Sequence, residues 1–386
     1  MNRRLAISLI AILGATGMAP ACASSADVNI GPRPQAVEDR YVYAPAGIRV
    51  TSWVENLKAP WSLVFLPDGD ALVSERPGRI RLIENGKLRT KPLARIDVAR
   101  GGEGGLMGLA LHPRFPAQPY LYAMHTFEAG GRTTNRVIRL KITGKTARFD
   151  RIIVPGIPGA GYHNGGRIGF GPDGMLYIGT GETFEARLAQ NPASLGGKLL
   201  RVTPEGKVPA DNPTPGSPVF TSGHRNIQGL AWHPATGAMF ISEHGPSGEF
   251  GFGAFDEINA IRPGANYGWP AAVGAPGAAP YTDPVVAWPR VTTPPSGMAF
   301  WRRHLFVATL RSEALIRVGL ERTPRGWRAT LVERWFARGR GNGRFGRLRD
   351  AVVGPDGALY VLTNNRDGRG DRRQGDDRIL RIEAVK

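Results

Sequence analysis

The segment PDGMLYIGT, Pro172–Thr180, joins a tight Pro-Asp-Gly turn to a short apolar run, and the same unit recurs along the chain. It is met again as PDGDALVSE (Pro67–Glu75), HPRFPAQPYLYAM (His112–Met124), HPATGAMFISE (His233–Glu243), RRHLFVATL (Arg302–Leu310) and PDGALYVLT (Pro355–Thr363), six copies in all. Each copy is followed by a second apolar stretch: GRIRLIENGK from Gly78, NRVIRLKIT from Asn135, GKLLRVTPEGK from Gly197, DEINAIRPG from Asp256, ALIRVGLE from Ala314 and DRILRIEA from Asp377. Short apolar or alternating runs bounded by Gly, Pro, Asp and Asn are strand signals. Sustained 3.6-residue periodicity is absent, and 52 glycines with 32 prolines would break long helices.

Repeats of roughly 40 to 60 residues, each a small sheet unable to bury both faces alone, stack radially into a propeller. The expected fold is therefore all-β, a six-bladed β-propeller in one domain over residues 47–386. The stretch GIRVTSWVENL from Gly47 is expected to supply a strand that closes the ring with the last blade. Residues 24–46 read as a loose N-terminal lead.

The chain opens with Arg3 and Arg4, an apolar run from Leu5 to Leu13, then small residues ending in Ala21-Cys22-Ala23. This is the layout of a signal peptide over residues 1–23. The run is too short to span a bilayer, and no later segment is long and apolar enough to do so. A periplasmic or secreted protein is expected, with lipidation of Cys22 as the alternative outcome of processing. Cys22 is the only cysteine, which excludes a disulfide and a cysteine-based metal site in the processed protein.

The formal charge of +18 raises the question of nucleic acid. The arginines are scattered, no zinc finger or RNA-recognition signature occurs, and an exported protein meets little nucleic acid, so none is expected as a partner. No nucleophile elbow, H-E-x-x-H motif or phosphate loop is placed in a suitable context.

In a propeller the sheets are scaffold, so chemistry belongs in loops that break the repeat. Those loops carry APWSLVFLPDG (Ala59–Gly69), EGGLMGLALHPRF (Glu103–Phe115), HNGGRIGFGPDGMLYIGTGE (His163–Glu182), GHRNIQGLAWHP (Gly223–Pro234), EHGP (Glu243–Pro246), DEIN (Asp256–Asn259), NYGWP (Asn266–Pro270) and RLRDAVVGPDGALYVLT (Arg347–Thr363). In this order they resemble the soluble pyrroloquinoline-quinone (PQQ)-dependent sugar dehydrogenases, the aldose sugar dehydrogenase branch above all, over about Leu57 to Arg381. That family's fold is a six-bladed propeller, in agreement with the repeat count.

The resemblance implies oxidation of the C1 hydroxyl of aldose sugars to lactones, with PQQ and calcium as cofactors and electrons leaving to an external acceptor. His163 matches the general base, a role suited to an imidazole able to accept a proton near neutral pH. Arg225 and Asn226 match the pair at the quinone carbonyls, where a fixed guanidinium stabilises developing charge. Gly245 and Pro246 match backbone calcium ligands, and Glu257 and Tyr267 match further calcium positions; calcium takes hard oxygen donors. Arg347 and Arg349 match cofactor arginines, and Arg311 stands where the family often has lysine. Convergent cations suit a tricarboxylate.

Three features depart from the pattern. Glu103 stands where the family commonly has a cofactor-contacting glutamine, and must be protonated, paired or turned away. Tyr162 replaces the aspartate that precedes the base in glucose-oxidising relatives. The insert Phe250–Phe255 either reshapes the mouth or bulges outward. The competing readings are a calcium-dependent propeller lactonase, which needs several acidic and asparagine side chains converging on the metal, and a non-catalytic binding propeller. A monomer and a homodimer are equally compatible with the sequence.

Overall fold

The computed structural model describes residues 28–31, 37–99 and 101–385. The signal peptide expected over 1–23 lies outside the described residues.

Six antiparallel sheets follow one another along the chain. The first is built from Pro60–Phe65, Ala71–Glu75 and Arg79–Glu84, whose last strand pairs with both Lys87–Leu88 and Ala94–Arg95. The second comprises Leu106–Leu111, Tyr120–Ala129, Arg132–Thr143 and Thr146–Pro158; the third, Ile168–Phe170, Leu176–Gly179, Leu199–Val202 and Val219–Thr221. The fourth comprises Ile227–Trp232, Met239–Glu243, Asp256–Ala260 and Val286–Trp288; the fifth, Pro295–Trp301, His304–Thr309, Leu315–Thr323 and Gly326–Trp335. The sixth takes Leu348–Val353, Leu359–Thr363 and Ile379–Ala384 from the C-terminus, and Ile48–Val54 from near the start. Ile48–Val54 runs antiparallel to Ile379–Ala384, so the ring is closed by the strand expected to close it. Among the described residues the only helical turns are two short 3-10 segments, Ala186–Ala189 and Glu249–Gly251.

Alternation along the strands explains the stacking. In the first blade Leu72 joins Leu121, Ile138 and Leu140 of the second, while its neighbours Ala71 and Val73 join Tyr360, Leu362 and Ile379 of the sixth. Successive side chains point to opposite faces of a strand, so each middle strand feeds two interfaces. The other four interfaces have their own apolar clusters, centred on Tyr122 with Leu200, Tyr177 with Ile241, Phe240 with Val307, and Phe306 with Val361.

The Pro-Asp-Gly turn has a side-chain function besides its backbone one. Asp173 accepts from the Met175 amide (3.2 Å), the Tyr177 hydroxyl (3.0 Å) and Arg201 Nε (3.0 Å), tying the turn to two strands. Asp356 repeats the arrangement with Ala358, Tyr360 and Arg381. In the His-Pro copy of the second blade, His112 Nδ1 accepts from the Arg114 amide instead (3.1 Å).

The stretch read as a loose lead contributes two strands. Asp39–Val42 adds in parallel to the outer edge of the fifth blade at Val332–Trp335, and Asn29–Gly31 pairs with Ala272–Gly274. A hydrophobic-pattern reading passes over such edge strands because they are short and partly exposed; the anchor is the ion pair between Arg334 and Asp39 (2.6 Å).

Candidate functional site

Polar side chains cross the axis of the ring. Arg167 donates to Asp350 Oδ2 (2.9 Å) and to the Gln228 carbonyl (3.0 Å), while Asp350 Oδ2 also accepts from the Leu63 amide (3.2 Å). Gln228 Oε1 in turn accepts from Arg349 Nη1 (2.9 Å). This floor supports a cavity lined by Trp61, Glu103, Met107, Asn164, Gly165, Gln228, His244, Leu310 and Arg349.

His163 sits on the loop entering the third blade, buried and with a left-handed backbone (φ 51). Two glycines make room for that loop. A Cβ on Gly181 would lie 2.0 Å from the His163 carbonyl oxygen, and one on Gly165, itself at φ +65, would lie 2.5 Å from the Gly179 carbonyl oxygen. His163 Nδ1 is hydrogen-bonded to Glu182 Oε1, which also accepts from the Phe184 amide (3.2 Å). An ionised carboxylate only accepts, so the ring proton is held on Nδ1 and the Nε2 lone pair is left to act as a base. The Phe184 ring is stacked on the imidazole (centroids 3.9 Å apart, planes at 28°).

Glu103 is ion-paired with Arg369, which answers the question its position raised. Burial would raise its pKa, yet the charge of Arg369 and the hydrogen bond from it hold it down at about 2. His244 is driven the other way, to about 3, by burial above all and by Arg225 and Arg349. It is therefore neutral, with Nε2 bonded to the Pro295 carbonyl (2.9 Å).

A basic basin borders this mouth. Arg347 pairs with Asp367 (3.0 Å), Arg349 is pushed down to about 9 by burial, and Arg76 is lowered by burial with Arg369 and Arg347 among its charged neighbours. Arg311 is exposed and lines an adjoining depression with Glu313, Arg340, Arg347 and Arg369. The expected cations Arg311, Arg347 and Arg349 thus share one region, joined by Arg369 and Arg76, which sequence reading missed. No repeat or motif marks those two.

Arg225 is buried but not free. Its Nε and Nη2 donate to Glu249, its Nη1 to the His244 carbonyl (3.3 Å), and its amide to Glu243 Oε2 (2.9 Å). Burial opposes ionisation of Glu249 and the Arg225 charge overcomes it. The insert after Glu249 turns back into the protein: Ala254 is buried and Phe255 packs against the cluster of Ala189, Trp269 and Val273. Asn226 Oδ1 accepts from the Gly165 amide (2.9 Å), whereas among the described residues its buried Nδ2 has no partner, nor do the buried Nε atoms of Arg347 and Arg349. Such unmatched donors are costly in a closed protein and suit an acceptor-rich anionic ligand.

Glu243 and Glu257 face each other across adjacent strands of the fourth blade. Removal from solvent, and then the Glu243 charge, raise Glu257 well above the ordinary carboxylate range. Burial lifts neighbouring Asp256 to about 6 although it accepts from Gly245 (3.1 Å) and Thr293 (2.6 Å) amides. Opposed like charges at this spacing favour a proton or a hard cation between them. Gly245 and Pro246 adjoin this pair; the Pro246 carbonyl already accepts from the Ala254 amide (3.1 Å), which uses one of its two lone pairs. The Tyr267 hydroxyl is committed to the Ala260 carbonyl (2.7 Å), so only its backbone remains for a cation. Among the described residues no three His, Cys, Asp or Glu side chains are grouped to hold a metal.

Fold and site define a six-bladed propeller enzyme with a carboxylate-oriented histidine beside a basic axial mouth. The Glucose / Sorbosone dehydrogenase family matches residues 57–380, and the chain belongs to that family. It is 33% identical over 359 residues to the aldose sugar dehydrogenase YliI of Escherichia coli K12, covering 84% of this chain and 92% of that one. Among solved structures it resembles the PQQ-bound aldose sugar dehydrogenase of Streptomyces coelicolor (40% identity, TM-score 0.77, 88% of this chain and 99% of that one). An oxidoreductase of Thermus thermophilus described as a glucose dehydrogenase shares 52% identity, with a TM-score of 0.82 over 87% of this chain and all of that one. The protein is an oxidoreductase of the sugar dehydrogenase type.

Proposed function

We propose that the protein oxidises the C1 hydroxyl of aldoses to lactones with PQQ and calcium, passing electrons to an external acceptor after export to the periplasm or beyond. The observation that carries this is the bond between His163 Nδ1 and Glu182, which leaves Nε2 as a base beside the basic mouth. When bound, PQQ supplies the two-electron acceptor for the hydrogen on C1. His163 Nε2 takes the hydroxyl proton, and the carbon–oxygen bond becomes the lactone carbonyl as C1 gives up its hydrogen with the bonding pair. Glu182 holds the ring plane and tautomer and offsets the positive charge of the protonated ring.

Asn226 Nδ2 and the Nε atoms of Arg347 and Arg349, buried donors unmatched among the described residues, suit the anionic cofactor. Arg311 would add longer-range charge from the rim, and Arg225 becomes a donor if it exchanges Glu249 for the ligand. Glu103, neutralised by Arg369, spares that ligand an unpaired carboxylate. Glu257, opposite Glu243, with backbone oxygens near Gly245, Pro246 and Tyr267, would hold calcium, which relieves their repulsion. The lactonase reading lacks the acidic cluster it needs among the described residues.

The test is reconstitution with calcium and PQQ, then dye reduction across a panel of aldoses. Turnover in the native protein, lost in His163→Gln while PQQ still binds, supports the assignment. Unchanged turnover in that variant rejects it.

A further inference from the structure

Two large aromatic side chains at the mouth take no part in any blade core. Phe184 is 53% exposed and Tyr162 44% exposed, and they meet edge to face at 5.7 Å. Both Thr183 (φ 56) and Phe184 (φ 62) are left-handed, a conformation that non-glycine residues adopt at a cost. Three hydrogen bonds hold them there: Thr183 amide to the His163 carbonyl (3.2 Å), Thr183 Oγ1 to the Glu182 carbonyl (2.8 Å), and Phe184 amide to Glu182 Oε1 (3.2 Å). One carboxylate oxygen therefore fixes both the base and the ring stacked on it. On the far side the Arg369 guanidinium lies 5.4 Å from the Tyr162 centroid, so the ridge runs from the charged mouth to His163.

We propose that Tyr162 and Phe184 form an aromatic subsite that receives the apolar C–H face of the pyranose ring whose C1 hydroxyl meets His163. The proposal rests on the assignment of His163 as the base. A ring packed on the imidazole lies within one sugar ring of the hydroxyl that Nε2 meets. A pyranose is amphipathic, with hydroxyl groups around its edge and C–H groups on its faces. Its polar edge would turn toward Glu103 and Arg369 while a C–H face packs into the corner that the two aromatic rings make. Two side chains are far too small a patch for a stable protein partner, which needs on the order of 1,000 Å².

The experiment uses the holoenzyme and the variants Tyr162→Ser and Phe184→Leu, with KM measured separately for sugar and dye. It adds binding of 1,5-anhydroglucitol, which lacks the C1 hydroxyl and is read by saturation-transfer NMR without turnover. The expected result is that sugar KM and the 1,5-anhydroglucitol dissociation constant both rise about tenfold. The dye KM stays fixed, and Tyr162→Phe restores tight binding. Unchanged sugar KM and analogue binding would overturn the subsite, and so would a shift confined to the dye KM, which would assign the ridge to the electron acceptor. If the native protein binds the analogue through these residues yet oxidises no aldose, the subsite stands and the C1-oxidation reading falls.

Discussion

Replacing Glu182 by glutamine is the sharpest probe of how the base is prepared. In the native protein one carboxylate oxygen accepts from both His163 Nδ1 and the Phe184 amide. A glutamine amide with its oxygen in that place keeps both bonds but brings no charge to offset that of the protonated ring; only the turned-over amide, which sets its NH₂ against the Phe184 N–H, would donate to Nδ1. Donation to Nδ1 moves the ring proton to Nε2, which removes the lone pair from the atom that must take the sugar proton. A positioned general base contributes about 10²–10⁴-fold. With the protonated ring deprived of its counter-charge, kcat should fall about 10–10²-fold, or roughly 1.4–2.7 kcal/mol of barrier. The assay is steady-state dye reduction by the reconstituted enzyme, with PQQ binding titrated in parallel to show that the site still loads. A kcat within about threefold of the native value, at equal PQQ occupancy, would refute the claim that the Glu182 charge supports the base.

Asp256, raised to about 6, binds a proton in the folded chain that the unfolded chain, with its ordinary value of 3.8, has already released. The stability of the calcium-free protein should therefore fall as pH rises from about 4 to about 6, with Glu257 acting in the same direction, as thermal melts across that range would reveal. Calcium should raise Tm more at pH 7 than at pH 5, because protons compete for Glu257; equal shifts at both would count against a site there. Glu249→Gln leaves the buried Arg225 without its ionic partner. It should cost the cofactor-free protein about 1–3 kcal/mol, less than a fully buried pair because Glu249 is partly exposed, and should tighten PQQ binding; calorimetry and titration together decide this. Gly181→Ala places a Cβ 2.0 Å from the His163 carbonyl oxygen, so the base loop must shift. A loss of about 1–3 kcal/mol in chemical denaturation, with most turnover gone, is expected.

The repeat itself was legible in the chain because each blade restates the same turn and two strands within a few tens of residues. Asp173 and Asp356 make that turn with nearly the same partners, and local chemistry of this kind survives in a linear reading. The ring closure was legible too, since Gly47–Leu57 had strand character with no partner nearby. His163, Arg225, Asn226 and the Arg347–Arg349 pair were visible as motif residues in loops that broke the repeat.

What the linear reading left out are partners brought together by closure of the ring. Glu103 and Arg369 stand 266 positions apart, and only the meeting of the first and last blades makes them a pair. Glu249 faces Arg225 because the insert folds back on Phe255, and Glu243 opposes Glu257 through strand register. Glu182 was within the quoted base motif, 19 positions from His163, yet its role appears only when the loop and the following strand place both side chains side by side. Sequence alone determined the scaffold and the chemical type of its loops, because strand periodicity and turn chemistry act over short distances. The charge state of Glu103, the tautomer of His163 and the exposed aromatic ridge depend on proximity between distant segments, and proximity is decided by the tertiary structure.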